Sequence, residues 1–241
     1  MNKINAVYVS ILALIVSLAT LAMCVVCCNN KGETVNVEEA IYANPEMIVK
    51  AMQNYEQQAR EKALAQAQKV IDDNINEINN NPNTPVMGNP NGSVVLVEFF
   101  DFSCGYCHRL YPALKNIIAK NPEVKLVLKE LTFVSKVSDY AARAGIAANM
   151  QGKYAEYYNG LMSANGSLTE EKINEIAAAN GIDVAKMKED ANSDKVKAIV
   201  KETADLASKI EIGGVPTMIL NGKMLQTLDE SVIQERIDAL K

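Results

Sequence analysis

The sequence predicts an α/β sandwich whose sheet is interrupted by a block of helices, with a helical stalk and an apolar segment in front of it. Apolar runs at residues 93–100 and 124–129 flank a stretch of helical period, which indicates a β-α-β unit. Residues 217–225 indicate a hairpin followed by a terminal helix, and helical periodicity fills residues 138–206 between the two units. Because 49% of the 241 residues are hydrophobic, the chain can form a substantial core.

The N-terminal segment carries no charge over residues 6–28, and Lys3 is the one charge before it. This length is close to the ~20 residues that cross a bilayer. A flanking lysine favours a cytoplasmic start and export of the rest of the chain. An uncleaved anchor over residues 1–28, a cleaved signal peptide and a lipoprotein all remain open, and each predicts a periplasmic protein, anchored to the inner membrane or released. Its cysteines are then apolar residues of the segment, or one of them is acylated: Cys24, Cys27, Cys28.

Residues 29–85 are predicted to form a helical stalk. The part from 37 to 78 is polar, rich in Ala and Gln and free of glycine, and Asn44-Pro45-Glu46 is a good helix start. Its apolar residues recur with a roughly helical period but form only a thin stripe, which cannot build a core alone. The stalk is therefore either a solvated spacer or a homo-oligomerisation segment, since a long isolated helix gains little without a partner face.

Asn, Pro and Gly dominate residues 79–92, a composition typical of a linker, so we place the start of the folded domain at residue 86. Within residues 86–241, the capping box Ser167-Leu168-Thr169-Glu170 marks one helix start of the inserted block at about 138–206, and Asp183 marks another. Asn221-Gly222 is the strongest short hairpin signal.

The formal net charge of −5 offers no basic surface for a nucleic acid, so no nucleic-acid partner is expected. The chain contains no Trp and a single His. Few residues are therefore available for chemistry, and those that stand out carry more weight.

Cys104-Gly105-Tyr106-Cys107 follows the first strand and opens a helix. At this position the first sulfur meets unpaired backbone N–H groups and the positive end of the helix dipole, which stabilises a thiolate. A second thiol three residues later can displace a mixed disulfide. We predict that Cys104 is an exposed nucleophile, that Cys107 is a buried resolving thiol, and that Gly105 and Tyr106 tune the pair and meet the substrate. His108 either stabilises the thiolate as a cation or is a residue of the helix surface.

Other interpretations of this motif stay open. Cys104 to His108 also fits the C-x-x-C-H attachment signature of a c-type haem, which would make the protein an electron carrier. Zinc would need further Cys or His ligands, and a purely structural disulfide would close a loop too small to stabilise much. A redox-inactive peptide-binding chaperone is the remaining alternative. We expect neither a metal nor a cofactor.

Two further features accompany the dithiol. Glu98 interrupts an apolar strand, so it is expected to be a buried acid with a raised pKa that transfers protons for Cys107. The alternative is an acid that faces the edge of the sheet or is paired, for instance with Lys129 on the neighbouring strand. Pro216 begins a strand after Val215, and X–Pro bonds can be cis. A cis bond would turn the Val215 backbone towards the dithiol, where it could pair with an extended substrate.

Together, residues 97–107, the helical block and residues 214–217 resemble the DsbA-like branch of the thioredoxin superfamily. The resemblance covers about residues 88–241. It implies a thioredoxin-like fold with an inserted helical domain, and thiol–disulfide exchange on cysteine-containing exported proteins, with a membrane redox partner that reoxidises or reduces the dithiol. It also implies Cys104 as nucleophile, Cys107 as resolving thiol, Glu98 as buried acid and Pro216 as a cis proline after Val215.

Two departures from the family matter for the expected activity. The dipeptide Gly105-Tyr106 stands where strongly oxidising members have Pro-His, so oxidase and isomerase activities both stay open. The helix-rich segment before the domain resembles that of the Com1 and ScsC-like members, some of which oligomerise through it and shuffle wrong disulfides.

Overall fold

The computed structural model describes residues 16–21, 23 and 37–241. Most of the apolar segment expected at residues 1–28 lies outside these residues, including Cys24, Cys27 and Cys28. Residues 16–21 and 23 are helical. Over the described ranges, no helix combines the length and the apolar character that crossing a bilayer requires.

The remaining elements have the expected order of a stalk, a β-α-β unit, a helical block and a β-β-α unit, and the predicted α/β architecture is confirmed. They are α1 (Val37–Ala43), α2 (Glu46–Asp73), α3 (Ile75–Asn80), β1 (Val86–Gly88), β2 (Val94–Phe100), α4 (Gly105–Lys120), β3 (Val124–Glu130), α5 (Ser138–Met150), α6 (Tyr154–Met162), α7 (Glu170–Ala179), α8 (Val184–Asn192), α9 (Asp194–Lys209), β4 (Thr217–Leu220), β5 (Lys223–Met224) and α10 (Glu230–Asp238).

The chain divides into two units, Met1–Arg60 and Glu61–Lys241. In the second unit, Ile71 of α2 and Ile78 of α3 are fully buried in one apolar cluster with the sheet. The folded unit therefore begins well before the boundary expected at residue 86, because the end of the predicted stalk supplies core side chains.

The segment expected to be a linker is also part of the fold. Its residues 86–88 form the edge strand β1, which pairs antiparallel with β3 so that Val86 lies opposite Val127. Asn89 donates its backbone N–H to the carbonyl of Val124 at 2.9 Å. Backbone pairing with β3 fixes this segment despite its turn-forming composition.

The five strands form one sheet in the order β1-β3-β2-β4-β5. The two central strands, β2 and β3, are parallel, and β4 runs antiparallel to β2. The sheet has an apolar cluster on each face, because alternate residues of β2 point to opposite sides. Leu96 and Phe100 pack with the dithiol and most inserted helices, whereas Val97 and Phe99 pack with α2, α3 and the end of α9.

Five helices, α5 to α9, occupy the interval between β3 and β4. The predicted capping box at residues 167–170 is displaced, because the cap of α7 is Thr169, whose hydroxyl accepts from the backbone N–H of Lys172 at 3.2 Å. Asp183 caps α8 as predicted, accepting from the backbone N–H of Lys186.

The predicted hairpin between β4 and β5 is confirmed. Asn221 and Gly222 have φ angles of 43° and 79°, the left-handed conformations that a two-residue hairpin turn requires. The Asn221 side chain also accepts from the backbone N–H of Val95 at 2.7 Å, which ties the turn to β2.

Candidate active site

The two domain cysteines lie where β2 leads into α4. Cys104 is the residue that caps the start of α4, and its carbonyl accepts the first helical hydrogen bond from His108 at 3.1 Å. Cys107 lies on the first turn, and both residues are free thiols.

Exposure separates the two thiols less than expected. Cys107 has no exposed surface, in agreement with a buried resolving thiol, but Cys104 is only 6% exposed. The prediction of an exposed Cys104 is therefore wrong in degree, because the loop that precedes Pro216 covers its sulfur.

This covering loop is the third predicted feature. The Val215–Pro216 peptide bond is cis, as expected. The Sγ–H of Cys104 donates to the carbonyl oxygen of Val215 at 3.5 Å. The structure thus brings Cys104 together with Val215 and Pro216, which lie far from it in the sequence.

Glu98 lies in the middle of β2 with no exposed surface. Its Oε2 accepts a 3.0 Å hydrogen bond from the hydroxyl of Tyr158 in α6, and its Oε1 has no hydrogen-bond partner among the described residues. Burial raises the pKa of Glu98 to about 8, and the Tyr158 hydrogen bond opposes that rise. At neutral pH this side chain is therefore mainly a neutral acid.

Burial also raises the pKa of the Cys107 thiol, and the nearby charge of Glu98 raises it further. A backbone hydrogen bond from Asp101 acts in the opposite direction. Cys107 is thus a thiol that holds its proton tightly, in the electrostatic neighbourhood of the buried Glu98 carboxyl group.

The alternative partner for Glu98 is wrong. In the sheet register Glu98 lies opposite Leu128, and Lys129 lies opposite Phe99, so Glu98 and Lys129 point to opposite faces. The Lys129 ammonium instead donates to the Glu77 carbonyl at 3.0 Å and to Thr84 Oγ1 at 2.8 Å.

The other predicted residues surround the dithiol unevenly. Gly105 is exposed, and Tyr106 is 64% exposed beneath the Arg109 guanidinium, which lies 4.1 Å from its ring centre. His108 is half-buried, and its Nε2 lies 2.7 Å from the carbonyl oxygen of Phe102. Because that carbonyl can only accept, the Nε2 carries a hydrogen and the ring braces the turn before Cys104.

Asp101 is a buried acid that the sequence pattern did not single out. Its Oδ1 accepts from the Ser103 backbone N–H at 2.8 Å and from the Ser138 hydroxyl at 2.7 Å, and its Oδ2 accepts from the Val134 N–H at 3.0 Å. Its carbonyl accepts from the Cys104 N–H at 2.9 Å. The Asp101 side chain therefore joins the turn before Cys104 to the loop after β3 and to α5, the first inserted helix. An acid three residues before the first cysteine was the available signal.

Comparison with known proteins identifies the family of the chain. A model described as DSBA-like thioredoxin domain matches residues 95–238. A protein of Bacillus anthracis named probable disulfide bond formation protein D is 30% identical over 151 residues, covering 57% of this chain and 70% of that protein.

Two solved structures are similar to this chain. A thioredoxin-like oxidoreductase from Silicibacter pomeroyi is 33% identical, with a TM-score of 0.65 over 68% of this chain and 96% of that chain. A linker-deletion mutant of Proteus mirabilis ScsC matches 88% of this chain and 98% of its own with a TM-score of 0.72, at 20% identity, which supports the fold alone.

Proposed function

The chain belongs to the DsbA-like thioredoxin domain family, and from that premise we propose that it is a protein dithiol–disulfide oxidoreductase working through Cys104 and Cys107. The observation that carries the proposal is the arrangement of three groups around one sulfur. Cys104 caps a helix start, Cys107 lies three residues later on the first turn of the same helix, and the Val215 carbonyl lies 3.5 Å from the Cys104 sulfur. A c-type haem carrier gains no support, because the His108 Nε2 is bonded to a backbone carbonyl.

In the oxidising direction, a substrate thiolate attacks Cys104 of the Cys104–Cys107 disulfide. The bond between the two protein sulfurs breaks, and Cys107 leaves and takes a proton from the Glu98 carboxylic acid. A second substrate thiolate then attacks the substrate sulfur of the mixed disulfide, which forms the substrate disulfide and releases Cys104. The substrate loses two electrons and the dithiol gains them.

In the reducing direction, the Cys104 thiolate attacks a substrate disulfide. Cys107 then gives its proton to the Glu98 carboxylate and attacks Cys104, which releases the second substrate thiol. An isomerase uses the first step alone when the substrate rearranges before Cys107 attacks. Both directions need the same proton exchange at Cys107, whose thiol is buried and weakly acidic.

Substrate recognition is proposed for the groups that surround the sulfur. Val215 offers its backbone beside Cys104, which suits an extended substrate segment carrying a cysteine. Gly105 and the exposed Tyr106 directly follow Cys104 in the sequence. The His108 side chain hydrogen-bonds the carbonyl of Phe102, in the turn before Cys104. The substrates proposed are cysteine-containing exported proteins.

Location and partners complete the proposal. We propose a periplasmic protein that is anchored to the inner membrane or released after cleavage, with a membrane redox partner that reoxidises or reduces the dithiol. We also propose that residues 37–78 join copies of the chain. Large apolar side chains of α1 and the first half of α2 are 36% to 77% exposed, which favours a second copy as their cover.

The test is a pair of assays on the purified chain: insulin reduction and refolding of a scrambled disulfide protein. A Cys104→Ser variant should lose both activities, and a Cys107→Ser variant should lose insulin turnover. Thermal unfolding of each variant checks that the domain is still folded. Full activity of Cys104→Ser in both assays would overturn the proposal.

A cysteine-free aggregating client separates the chaperone alternative. If Cys104→Ser and the unaltered chain suppress its aggregation equally and neither changes disulfides, the protein is a peptide-binding chaperone. Equilibrating the dithiol with glutathione then gives the direction of electron flow, since ~30 mV shifts the exchange equilibrium tenfold.

A further inference from the structure

The inserted helices contribute one side chain directly to the redox site. Tyr158 of α6 is buried, and its hydroxyl donates to Oε2 of Glu98 at 3.0 Å. Its ring packs edge-on against Phe100 and Tyr111, with centroid distances of 5.3 Å and 5.7 Å, so its position is held by packing on both sides.

The surroundings of Glu98 make this hydrogen bond unusual. Its strand neighbours in register are Leu128 and Met218, which are apolar. The titratable groups near it are Tyr158 and Tyr154 from α6 and Cys107 from α4. Within the described part of the chain, Tyr158 is the one side chain that hydrogen-bonds the Glu98 carboxyl group, and Oε1 stays without a partner.

We infer that Tyr158 is a positioning residue for the proton transfer at Cys107, because it holds one oxygen of Glu98 and leaves the other available for the proton. This inference rests on the proposed function, in which Glu98 exchanges the Cys107 proton. It assigns the helical insertion a part in the exchange reaction.

The step that Tyr158 assists transfers one proton and exchanges one disulfide bond for another. When Cys107 attacks the mixed disulfide, its S–H proton passes to the Glu98 carboxylate, and the new bond joins the sulfurs of Cys107 and Cys104. The bond between Cys104 and the substrate sulfur breaks, and the substrate leaves as a thiolate. The Tyr158 hydrogen bond stabilises the carboxylate that accepts the proton, because hydrogen bonds to an ionised acceptor are the stronger ones.

The same helix carries a matched control. Tyr154 lies one turn earlier, and its ring stacks on that of Tyr158 with centroids 6.1 Å apart. Its hydroxyl donates to Oε1 of a different buried acid, Glu130, at 2.7 Å. Burial raises the pKa of Glu130 to about 8, as it does for Glu98. Removing either hydroxyl therefore makes the same chemical change on one helix, but only one touches Glu98.

The experiment uses the reduced full-length chain, with Cys24, Cys27 and Cys28 replaced by Ser in every variant, and a symmetric nitrothiobenzoate disulfide in rapid mixing. Attack by Cys104 releases one coloured thiolate at a rate that depends on reagent concentration. Attack by Cys107 on the mixed disulfide releases the second in a phase that does not. The rate of this second phase is measured against pH, where the Glu98 carboxylate should give an inflection near 8.

Tyr158→Phe should move this inflection upward by about one pH unit and slow the second phase at neutral pH about tenfold. Tyr154→Phe should leave the inflection in place. A ring-fluorinated tyrosine at position 158 keeps the size and the hydroxyl and is a stronger donor, so it should move the inflection downward. It serves as the test if Tyr158→Phe does not fold.

Glu98→Gln distinguishes failure of the proposed function from failure of the role given to Tyr158. If its second phase keeps the inflection, the proton role of Glu98 in the proposed function fails. If Glu98→Gln removes the inflection while neither Tyr158→Phe nor the fluorinated variant shifts it, only the inference about Tyr158 is overturned. Equal shifts in the two Phe variants would also overturn it, since packing alone would then explain them.

Discussion

The sulfur of Cys104 lies 3.5 Å from the carbonyl oxygen of Val215, although 111 residues separate them in the chain. The contact exists because β4 pairs antiparallel with β2, the strand that leads into the dithiol. In the proposed exchange reaction, this contact puts the backbone of the residue before Pro216 beside the sulfur that a substrate would meet.

The buried carboxyl groups predict how stability depends on pH. Burial raises the pKa of Glu98 from 4.5 in the unfolded chain to about 8 in the folded one. The folded state therefore binds more protons than the unfolded state in this window, and the free energy of unfolding falls as pH rises through it. Glu98→Gln removes this loss, so it should raise the free energy of unfolding by at least ~1 kcal/mol at the upper end, or ~2–4 °C in Tm.

Calorimetry at the two ends of the window checks this result. Near pH 4.5 the Gln variant should gain little. At that pH Glu98 of the wild-type chain is protonated in the folded state and in about half of the unfolded chains. Glu130→Gln should behave in the same way, because burial also raises its pKa to about 8. A Gln variant whose advantage did not grow with pH would contradict the assignment of a buried neutral acid.

Asp101 predicts a large stability effect at the redox turn. Asp101→Ala leaves three donors without their acceptor: the N–H groups of Ser103 and Val134 and the hydroxyl of Ser138. We expect the free energy of unfolding to fall by about 3 kcal/mol in urea titrations, since each unsatisfied buried group costs ~1–3 kcal/mol.

The control for Asp101 is an acid that also accepts backbone N–H groups but is exposed. Asp229 caps α10 and accepts from Ser231 and Val232. Asp229→Ala should cost only ~1 kcal/mol, the usual value for a helix cap. Equal losses in the two variants would show that Asp101 is no more than a surface cap.

The stalk predicts self-association. Ile48, Met52 and Tyr55 recur along α2 at a spacing that puts them on one helix face, and they are 42%, 58% and 75% exposed. Replacing Ile48 and Met52 by Glu should convert an oligomer into monomers in sedimentation experiments, because charges cannot be buried between copies.

A control for the effect of added negative charge replaces Lys50 and Gln53 by Glu. By helical period these two residues lie on the other side of α2. That variant should keep the oligomer. A monomeric unaltered chain, with residues 37–78 present, would contradict the prediction.

Short-range signals carried most of what the sequence predicted. The spacing of Cys104 and Cys107, the Val215-Pro216 bond and the Asn221-Gly222 turn depend on a few adjacent residues, and the structure has the free thiol pair, the cis bond and the hairpin in place. Glu98 stood out because an acid inside an apolar strand needs a reason.

Long-range features could not be obtained in the same way. Tyr158 is 60 residues from Glu98, and nothing in the period of α6 distinguishes it from Tyr154. Lys129 was a plausible partner for Glu98 until the strand register placed the two on opposite faces. Ile71 lies in the segment that was predicted to be either a spacer or an oligomerisation helix, and its burial against the sheet depends on tertiary packing that the helical period does not show.

The most direct test of the proposed chemistry is to trap the mixed disulfide and locate it by mass spectrometry. The reduced Cys107→Ser variant, made in a chain whose Cys24, Cys27 and Cys28 are replaced by Ser, should accumulate one adduct per chain on Cys104 when it is mixed with oxidised glutathione, because no second thiol displaces it. The Cys104→Ser variant should form almost none, since Cys107 is fully buried and holds its proton. Rapid modification of Cys107 in Cys104→Ser, or an unmodified Cys104 in Cys107→Ser, would contradict the assignment of nucleophile and resolving thiol.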